Sequence, residues 1–397
     1  MDVNFQRKID RWAGSIICRI LSLFSHKKDH NGKVGRVLVI LLSEMGSLVL
    51  TQPMFRRLKE KYPGAAIHVL LFAKNREILD LMELIPKEHI LAISDRSLWR
   101  FLGDSLGVLR RMRALRFDTA IDCELFARIS SIFSFFSGAA IRVGFHAHNM
   151  EGLYRGDFIN RPVLYNPYQR IPDQFLGLVE AIDSNSRPRN KFAHPRGQWR
   201  ATPVRFGEDE LAAMKNRLAQ DYPQIAGQRL VLLYPGGGLL PLRAWPMNYF
   251  CQLAQGLILQ GYAVAVIGMP EDGKLAQLLI NYCGSSSGIS LTGYTKSIRE
   301  LLLLFHLAEL LVTNDGGPGQ FAVLTPIKSI LFYGPETPAL YGPLDDNSHL
   351  FYRPISCSPC LTAYNHRNSP CDGDNLCLKS IHPQEVLEKA LALLSPA

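Results

Sequence analysis

A chain of 397 residues with 47% hydrophobic and 20% charged content is long enough for two folded domains and too apolar to be disordered. No run approaches roughly 18 uncharged apolar residues, so no transmembrane helix is expected. A formal net charge of +9 suits nucleic acid, an anionic membrane or acidic substrates, but aromatic residues are not interleaved with the basic ones as a nucleic-acid stacking platform requires, and a nucleic-acid partner is not expected.

The charge is concentrated at the amino terminus. Residues 1–36 carry eight Lys or Arg against Asp2, Asp10 and Asp29, a net +5. Within them, residues 3–24 read as an amphipathic helix. Phe5, Ile9, Trp12, Ile16, Ile20 and Leu23 recur at helical spacing, with Arg7, Lys8, Arg11 and Arg19 off that stripe. Such a helix suits the plane of a membrane surface; the competing reading packs it on the protein's own core. Arg19 interrupts the early apolar run, which argues against a cleavable signal peptide. Eight cysteines, scattered apart from one late cluster, fit a reducing cytoplasmic setting.

From residue 37 the pattern alternates. Val37–Leu42 is a continuous apolar run of the length and kind that marks a strand buried on both faces of a parallel sheet. A turn over Ser43–Gly46 and a helix over about Leu48–Lys61 follow. Further strands are expected at Ile67–Phe72, Thr119–Ile121 and Ile141–Gly144. Residues 184–203, rich in Ser, Asn, Arg and Pro, read as a linker. A second alternation places strands at Leu230–Tyr234, Ala263–Ile267, Leu310–Thr313 and Ser329–Phe332, with a weaker one at Ile289–Leu291. The fold class is therefore α/β, with two Rossmann-like domains facing a cleft, a natural place for a ligand. The expected division is a basic helix over 1–34, a first domain over 35–190, a second over 204–382 and a last helix over 383–397.

The motifs that carry chemistry lie mainly in the second half. Leu310–Val312 runs into Thr313-Asn314-Asp315-Gly316-Gly317-Pro318-Gly319-Gln320, then Thr325-Pro326, then Phe332-Tyr333-Gly334-Pro335. This is a strand–loop–helix–strand unit with bare backbone N–H groups where the helix begins, a ready place for phosphate. Asp315 suits a sugar hydroxyl better than a phosphate. Upstream stand Tyr234-Pro235-Gly236-Gly237-Gly238 and Arg243-Ala244-Trp245-Pro246. Those glycines let a diphosphate approach the backbone, and the Arg243 fork pairs with phosphate oxygens. Glu271, with Asp272 as the spare, follows the next strand; it is either a ribose contact or a helix cap. Trp245 reads as core. Arg110, Arg111, Arg113 and Arg116 read chiefly as a solvated helix face, with attraction of an acidic lipid-linked glycan as the alternative. Cys357, Cys360, Cys371 and Cys377 are candidate ligands of a structural zinc, against free thiols.

The ordered set Asp315, Gly317, Pro318, Ala322, Thr325-Pro326, Gly334-Pro335 and Tyr341-Gly342-Pro343 resembles the donor-binding segment of the family-9 glycosyltransferases, the bacterial ADP-heptose:lipopolysaccharide heptosyltransferases. The resemblance covers about residues 36–395. It departs at Gly316, where Ser or Thr is expected, and at Gln320, where His is expected. The resemblance implies a GT-B fold whose last helix crosses back onto the first domain. It implies inverting, metal-independent transfer of a sugar, most often heptose from ADP-heptose, to a lipopolysaccharide-core or related lipid-linked glycan. No cofactor is required. The donor-binding residues would be Gly236, Gly237, Gly238, Arg243, Glu271, Asp315, Gly316, Gly317, Pro318 and Gln320. The first loop, Ser43-Glu44-Met45-Gly46-Ser47, resembles the family's acceptor-activating loop, in which an aspartate after the glycine is the general base. Here that position is Ser47, and Glu44 is the only carboxylate in the loop. A hydroxyl is no base at neutral pH, so Glu44 is the candidate replacement. The rival is a non-catalytic nucleotide-sugar-binding relative that has lost the base. An epimerase also uses two such domains but lacks support from the Phe332–Pro343 motif.

Overall fold

The computed structural model describes residues 8–24, 33–42, 45–125, 127–146, 154–192, 199–238, 240–362 and 368–395. The chain divides into two compact units, Met1–Gln198 and Trp199–Ala397.

The first unit opens with a π-helical turn, Asp10–Gly14, that continues into α1 (Ser15–Leu23). There follow β1 (Arg36–Ile40), α2 (Met45–Leu50), α3 (Gln52–Lys61), β2 (Ala66–Phe72), α4 (Arg76–Met82), β3 (Ile90–Ile93), α5 (Leu98–Leu115), β4 (Thr119–Asp122), α6 (Arg128–Phe136), β5 (Ile141–Phe145), β6 (Arg161–Val163) and α7 (Ile171–Glu180). The strands form one parallel sheet in the order β3-β2-β1-β4-β5-β6. Val37 to Ile40 are fully buried, as a central strand covered on both faces must be. The single helix expected over Leu48–Lys61 is two helices. Thr51 closes the first by donating from Oγ1 to the Leu48 carbonyl at 2.6 Å, and Pro53, with no N–H to give, sits in the first turn of the second.

One face of this sheet is covered by α5 and α6. Val108 and Met112 of α5 and Phe133 of α6 pack with Leu38, Ile40, Leu70 and Leu91. The amino-terminal helix lies beyond α6. Cys18 and Leu21 enter a cluster with Ile132, Phe135, Phe158 and Ile159. Gly14 permits the close approach, since a Cβ there would stand 2.7 Å from that of Arg128. Asp10 caps α6, its carboxylate accepting from the backbone N–H of Arg128 at 2.9 Å and of Ile129 at 2.8 Å. Burial nonetheless holds the Asp10 carboxyl above its usual range. The helix docks its small-residue face on the domain, while the Trp/Ile stripe points away, with Trp12 74% and Leu23 83% exposed.

The second unit carries α8 (Glu208–Asp221), β7 (Leu230–Tyr234), α9 (Met247–Leu259), β8 (Ala263–Gly268), α10 (Gly273–Cys283), β9 (Gly288–Thr292), α11 (Ile298–Leu307), β10 (Leu310–Asn314), α12 (Gly317–Ala322), β11 (Lys328–Tyr333), α13 (Pro338–Tyr341), β12 (Ser348–Tyr352), α14 (Leu376–Lys379) and α15 (Pro383–Leu394). Its parallel sheet runs β12-β11-β10-β7-β8-β9. Val386, Ala390 and Leu394 of α15 are buried with Leu257 and Leu310 in the core of the second unit. Local complementarity seats the helix: Gly256 of α9 leaves room for Leu387, which a Cβ there would meet at 2.6 Å. No helix among the described residues is long and apolar enough to cross a membrane.

Candidate functional site

All strands of a parallel sheet end on one edge, and a crevice opens there where the chain order reverses. In the second sheet that point lies between β7 and β10. The loops leaving these strands are the two glycine-rich motifs, so the fold brings together what the sequence holds far apart. Asn314, the last residue of β10, laces them. Its Oδ1 accepts from the Trp245 backbone N–H at 2.8 Å, and its Nδ2 donates to the carbonyls of Pro235 and Gly236 at 3.1 and 3.0 Å. Trp245 is core, as read from the sequence. It stacks on Phe332 with ring centroids 4.4 Å apart and donates from Nε1 to the Ile381 carbonyl.

Arg243, two residues before this anchor, lies between two carboxylates. Nη1 is 3.6 Å from Asp315 Oδ2, and Nη2 is 3.5 Å from Glu336 Oε2. Both separations exceed the 2.7–2.9 Å usual for a charge-assisted bond. The guanidinium is confined by charge while its Nε, buried, has no hydrogen-bond partner among the described residues. A side chain so held keeps donor capacity for an anion. Glu336, nearly fully buried, was not singled out from the sequence; its signal was its place after the Gly334-Pro335 turn on the neighbouring strand.

The glycines divide by role. A Cβ at Gly237 would stand 2.8 Å from the Leu240 carbonyl, and Gly238 has φ of +59°, so the loop's own folding requires both. Gly316, in contrast, would bring a Cβ no nearer than 3.9 Å to the Asn314 carbonyl, which accommodates the Ser or Thr of the motif. Gly317 and Pro318 begin the short α12. Gln320 lies within it, buried, its Nε2 donating to the Tyr341 carbonyl at 2.7 Å. That bond joins α12 to α13. Glu271 is exposed on the turn after β8, whereas Asp272 accepts from the Met269 backbone N–H at 2.9 Å and closes the turn itself.

In the first sheet the order reverses between β1 and β4. Ser43 and Glu44 lie outside the described residues. Ser47 stands half-buried in the first helix after β1 rather than in a loop. Two carboxylates stand at the end of β4 and two residues past it. Asp122 is buried against Arg155, whose Nη2 also donates to Ser130 Oγ at 2.7 Å. Glu124, also buried, accepts from the backbone N–H of Leu42 at 2.7 Å, next to Ser43-Glu44. The sequence reading missed Glu124, which is remote in the chain and adjacent only through the β1–β4 pairing.

The four late cysteines, Cys357, Cys360, Cys371 and Cys377, are all free thiols. Among the described residues no three His, Cys, Asp or Glu side chains form a set that could hold a metal. Cys357 and Cys371 are exposed, whereas Cys377 is turned into the core beneath Gly334, where a Cβ would meet its sulfur at 2.9 Å. Burial, with the neighbouring Cys360 and Cys357, pushes the Cys377 thiol up to about 11.

Two doubly wound parallel sheets, the second with a glycine-rich and arginine-bearing crevice at its switch point, define a Rossmann-type α/β protein of two domains. The family described as Glycosyltransferase family 9 (heptosyltransferase) matches residues 106–369, well over half of the chain. The chain is 26% identical over 372 residues to lipopolysaccharide heptosyltransferase 2 of Salmonella typhimurium, covering 91% of this chain and 99% of that protein. Among solved structures, the Escherichia coli ADP-heptose lipopolysaccharide heptosyltransferase II superposes with a TM-score of 0.70 at 21% identity, over 90% of this chain and 98% of that one. An E. coli heptosyltransferase, WaaC, solved with ADP, gives 0.62 at 16% identity over 89% and 99%. The chain belongs to glycosyltransferase family 9, the heptosyltransferases, and has the two-domain α/β fold of the GT-B type that its sequence predicts.

Proposed function

We propose that this glycosyltransferase moves heptose from ADP-heptose, with inversion and without a metal, to a lipopolysaccharide-core or related lipid-linked glycan on the cytoplasmic side of the membrane. The observation that carries the donor half is the Arg243–Asp315–Glu336 arrangement, laced by Asn314 at the switch point of the second sheet. The choice of nucleotide and sugar rests on relatives whose names or titles specify ADP, ADP-heptose and lipopolysaccharide. In this reading an acceptor oxygen bonds the anomeric carbon as the carbon–phosphate oxygen bond breaks. The electron pair leaves with the nucleoside diphosphate, whose growing charge Arg243 offsets, and a base takes the acceptor proton. Gly236–Gly238, Asp315–Pro318 and Glu271 line the donor. Asp272, already used by its own turn, is set aside. Gln320, placed in α12 and tied to Tyr341, shapes the site from behind.

Calorimetric titration with a panel of nucleoside diphosphates and their sugars tests the donor. ADP and ADP-heptose are expected to bind most tightly, and preference for a uridine or guanosine diphosphate would overturn that assignment. Chelators are expected to leave transfer intact, which measurement of initial rates with and without EDTA checks. The second reading, a donor-binding relative without catalysis, is favoured by Ser47 at the place of the family's aspartate.

The amino-terminal helix is proposed to lie in the surface of an anionic membrane. Its exposed Trp12, Ile16 and Ile20, together with the basic residues around them, support this. Because Asp10 and Cys18 are built into the domain, deletion would uncover its core. The triple variant Trp12→Ser/Ile16→Ser/Ile20→Ser alters only the outer face. It is expected to lower binding to anionic vesicles by at least about tenfold, given roughly 1.5–3 kcal/mol for each large apolar side chain fully buried. Unchanged co-sedimentation would remove the helix as an anchor.

A further inference from the structure

Among the described residues, a second helix presents an exposed apolar face. Leu98, Trp99, Leu102 and Leu106 form one stripe on the first half of α5, and all four are exposed, Trp99 by 81%. Such side chains gathered on one helix face are unusual where nothing covers them. The surrounding charge is basic. Residues 95–116 hold six arginines against two aspartates. Arg96 and Arg100 flank Trp99, and Arg110 and Arg113 are exposed further along the helix. Neither aspartate opposes the stripe freely: Asp95 pairs with Lys74, and Asp104 accepts from the Ser94 backbone N–H at 2.9 Å.

The position of this stripe gives it meaning. α6 packs through Ile129 and Phe133 into the cluster shared with α5, and through Ile132 and Phe135 into the cluster shared with the amino-terminal helix. α6 thus touches both helices, and both stripes belong to the first unit. Each combines Trp and branched aliphatic side chains with flanking arginines, the composition of a helix seated at a lipid headgroup boundary.

We propose that the amino-terminal half of α5 is a second segment of the first domain, beside the amino-terminal helix, that docks on an anionic bilayer. Two separated contacts fix orientation as well as attachment, which a single helix does not. The proposal extends the membrane reading of the amino-terminal helix, and the two are separable by experiment.

The test compares four proteins: the full chain, Trp99→Ser/Leu102→Ser/Leu106→Ser, Trp12→Ser/Ile16→Ser/Ile20→Ser, and the combination. Each is floated with vesicles of phosphatidylcholine and phosphatidylglycerol in equal parts, and with phosphatidylcholine alone. Thermal melting confirms that these surface changes leave the fold intact. The α5 variant is expected to partition at least about tenfold more weakly into the anionic vesicles than the full chain, and the combination to lose binding. If the α5 variant binds as the full chain does while the amino-terminal variant fails, the proposal falls and the first anchor stands. If only the α5 variant fails, the proposal stands and the first anchor falls. Absence of vesicle binding by the full chain overturns both. Equal vesicle binding by the α5 variant, with loss of self-association in lipid-free sedimentation, would assign the stripe to a second copy of the chain and overturn the proposal.

Discussion

Glu44→Gln is expected to lower turnover by about 10²–10⁴-fold while leaving donor affinity nearly unchanged, the usual consequence of removing a general base. The expectation starts from what is missing. The loop after β1, proposed to activate the acceptor, has Ser47 where the family carries aspartate, and Glu44 is its only carboxylate. Ser47→Asp restores that group and is expected to recover part of the activity of Glu44→Gln. The structure supplies a control: Glu124 is tied to the leading edge of the same loop through Leu42. Glu124→Gln keeps an acceptor for that N–H and removes only the charge. Turnover by Glu44→Gln equal to the parent, with loss in Glu124→Gln, would move the base to the end of β4. A parent that binds donor but transfers nothing, with activity gained only in Ser47→Asp, would establish the non-catalytic reading. Single-turnover rates with saturating donor separate these outcomes from changes in affinity.

How much was legible in the sequence follows from where each strand sits. Every interior strand of both sheets was readable, because burial on two faces demands a continuous apolar run such as Val37–Leu42 or Leu310–Thr313. The three strands not read, β3, β6 and β12, are all sheet edges, and β9, the fourth edge, gave only the weak signal at Ile289–Leu291. An edge strand needs less apolar sequence. Ile90–Ile93 and Arg161–Val163 are short, and Ser348-His349 opens β12 with polar residues. The same logic applies to the site. Arg243 and Asp315 were readable because glycine-rich turns mark them. Glu336, Asn314 and Glu124 were not, since their roles come from pairing between strands distant in sequence. The exposure of Leu98, Trp99, Leu102 and Leu106 is not legible from their ordinary amphipathic spacing, because the sequence does not show that Val108 and Met112 are the residues of α5 that enter the core.

Arg243→Ala is expected to weaken binding of the preferred nucleoside diphosphate by roughly one to two decades, from about 1.5–3 kcal/mol for a lost charge-assisted contact. The structure raises the stakes of this substitution. Removing the guanidinium leaves Asp315 and Glu336 without the cation between them, at the place where a diphosphate is proposed to enter. The net negative charge left at that place would repel the ligand, so the loss belongs to the upper part of that range. Arg243→Lys keeps the charge but not the fork, and is expected to fall between the parent and Arg243→Ala. The double variant Arg243→Ala/Glu336→Gln separates the two contributions. If repulsion is part of the loss, removing the Glu336 charge recovers some affinity even without the arginine. If only the direct phosphate contact matters, the double variant binds as weakly as Arg243→Ala. Unchanged dissociation constants for all three variants would take Arg243 out of the donor site and reduce the ion trio to a structural link between the ends of β7, β10 and β11.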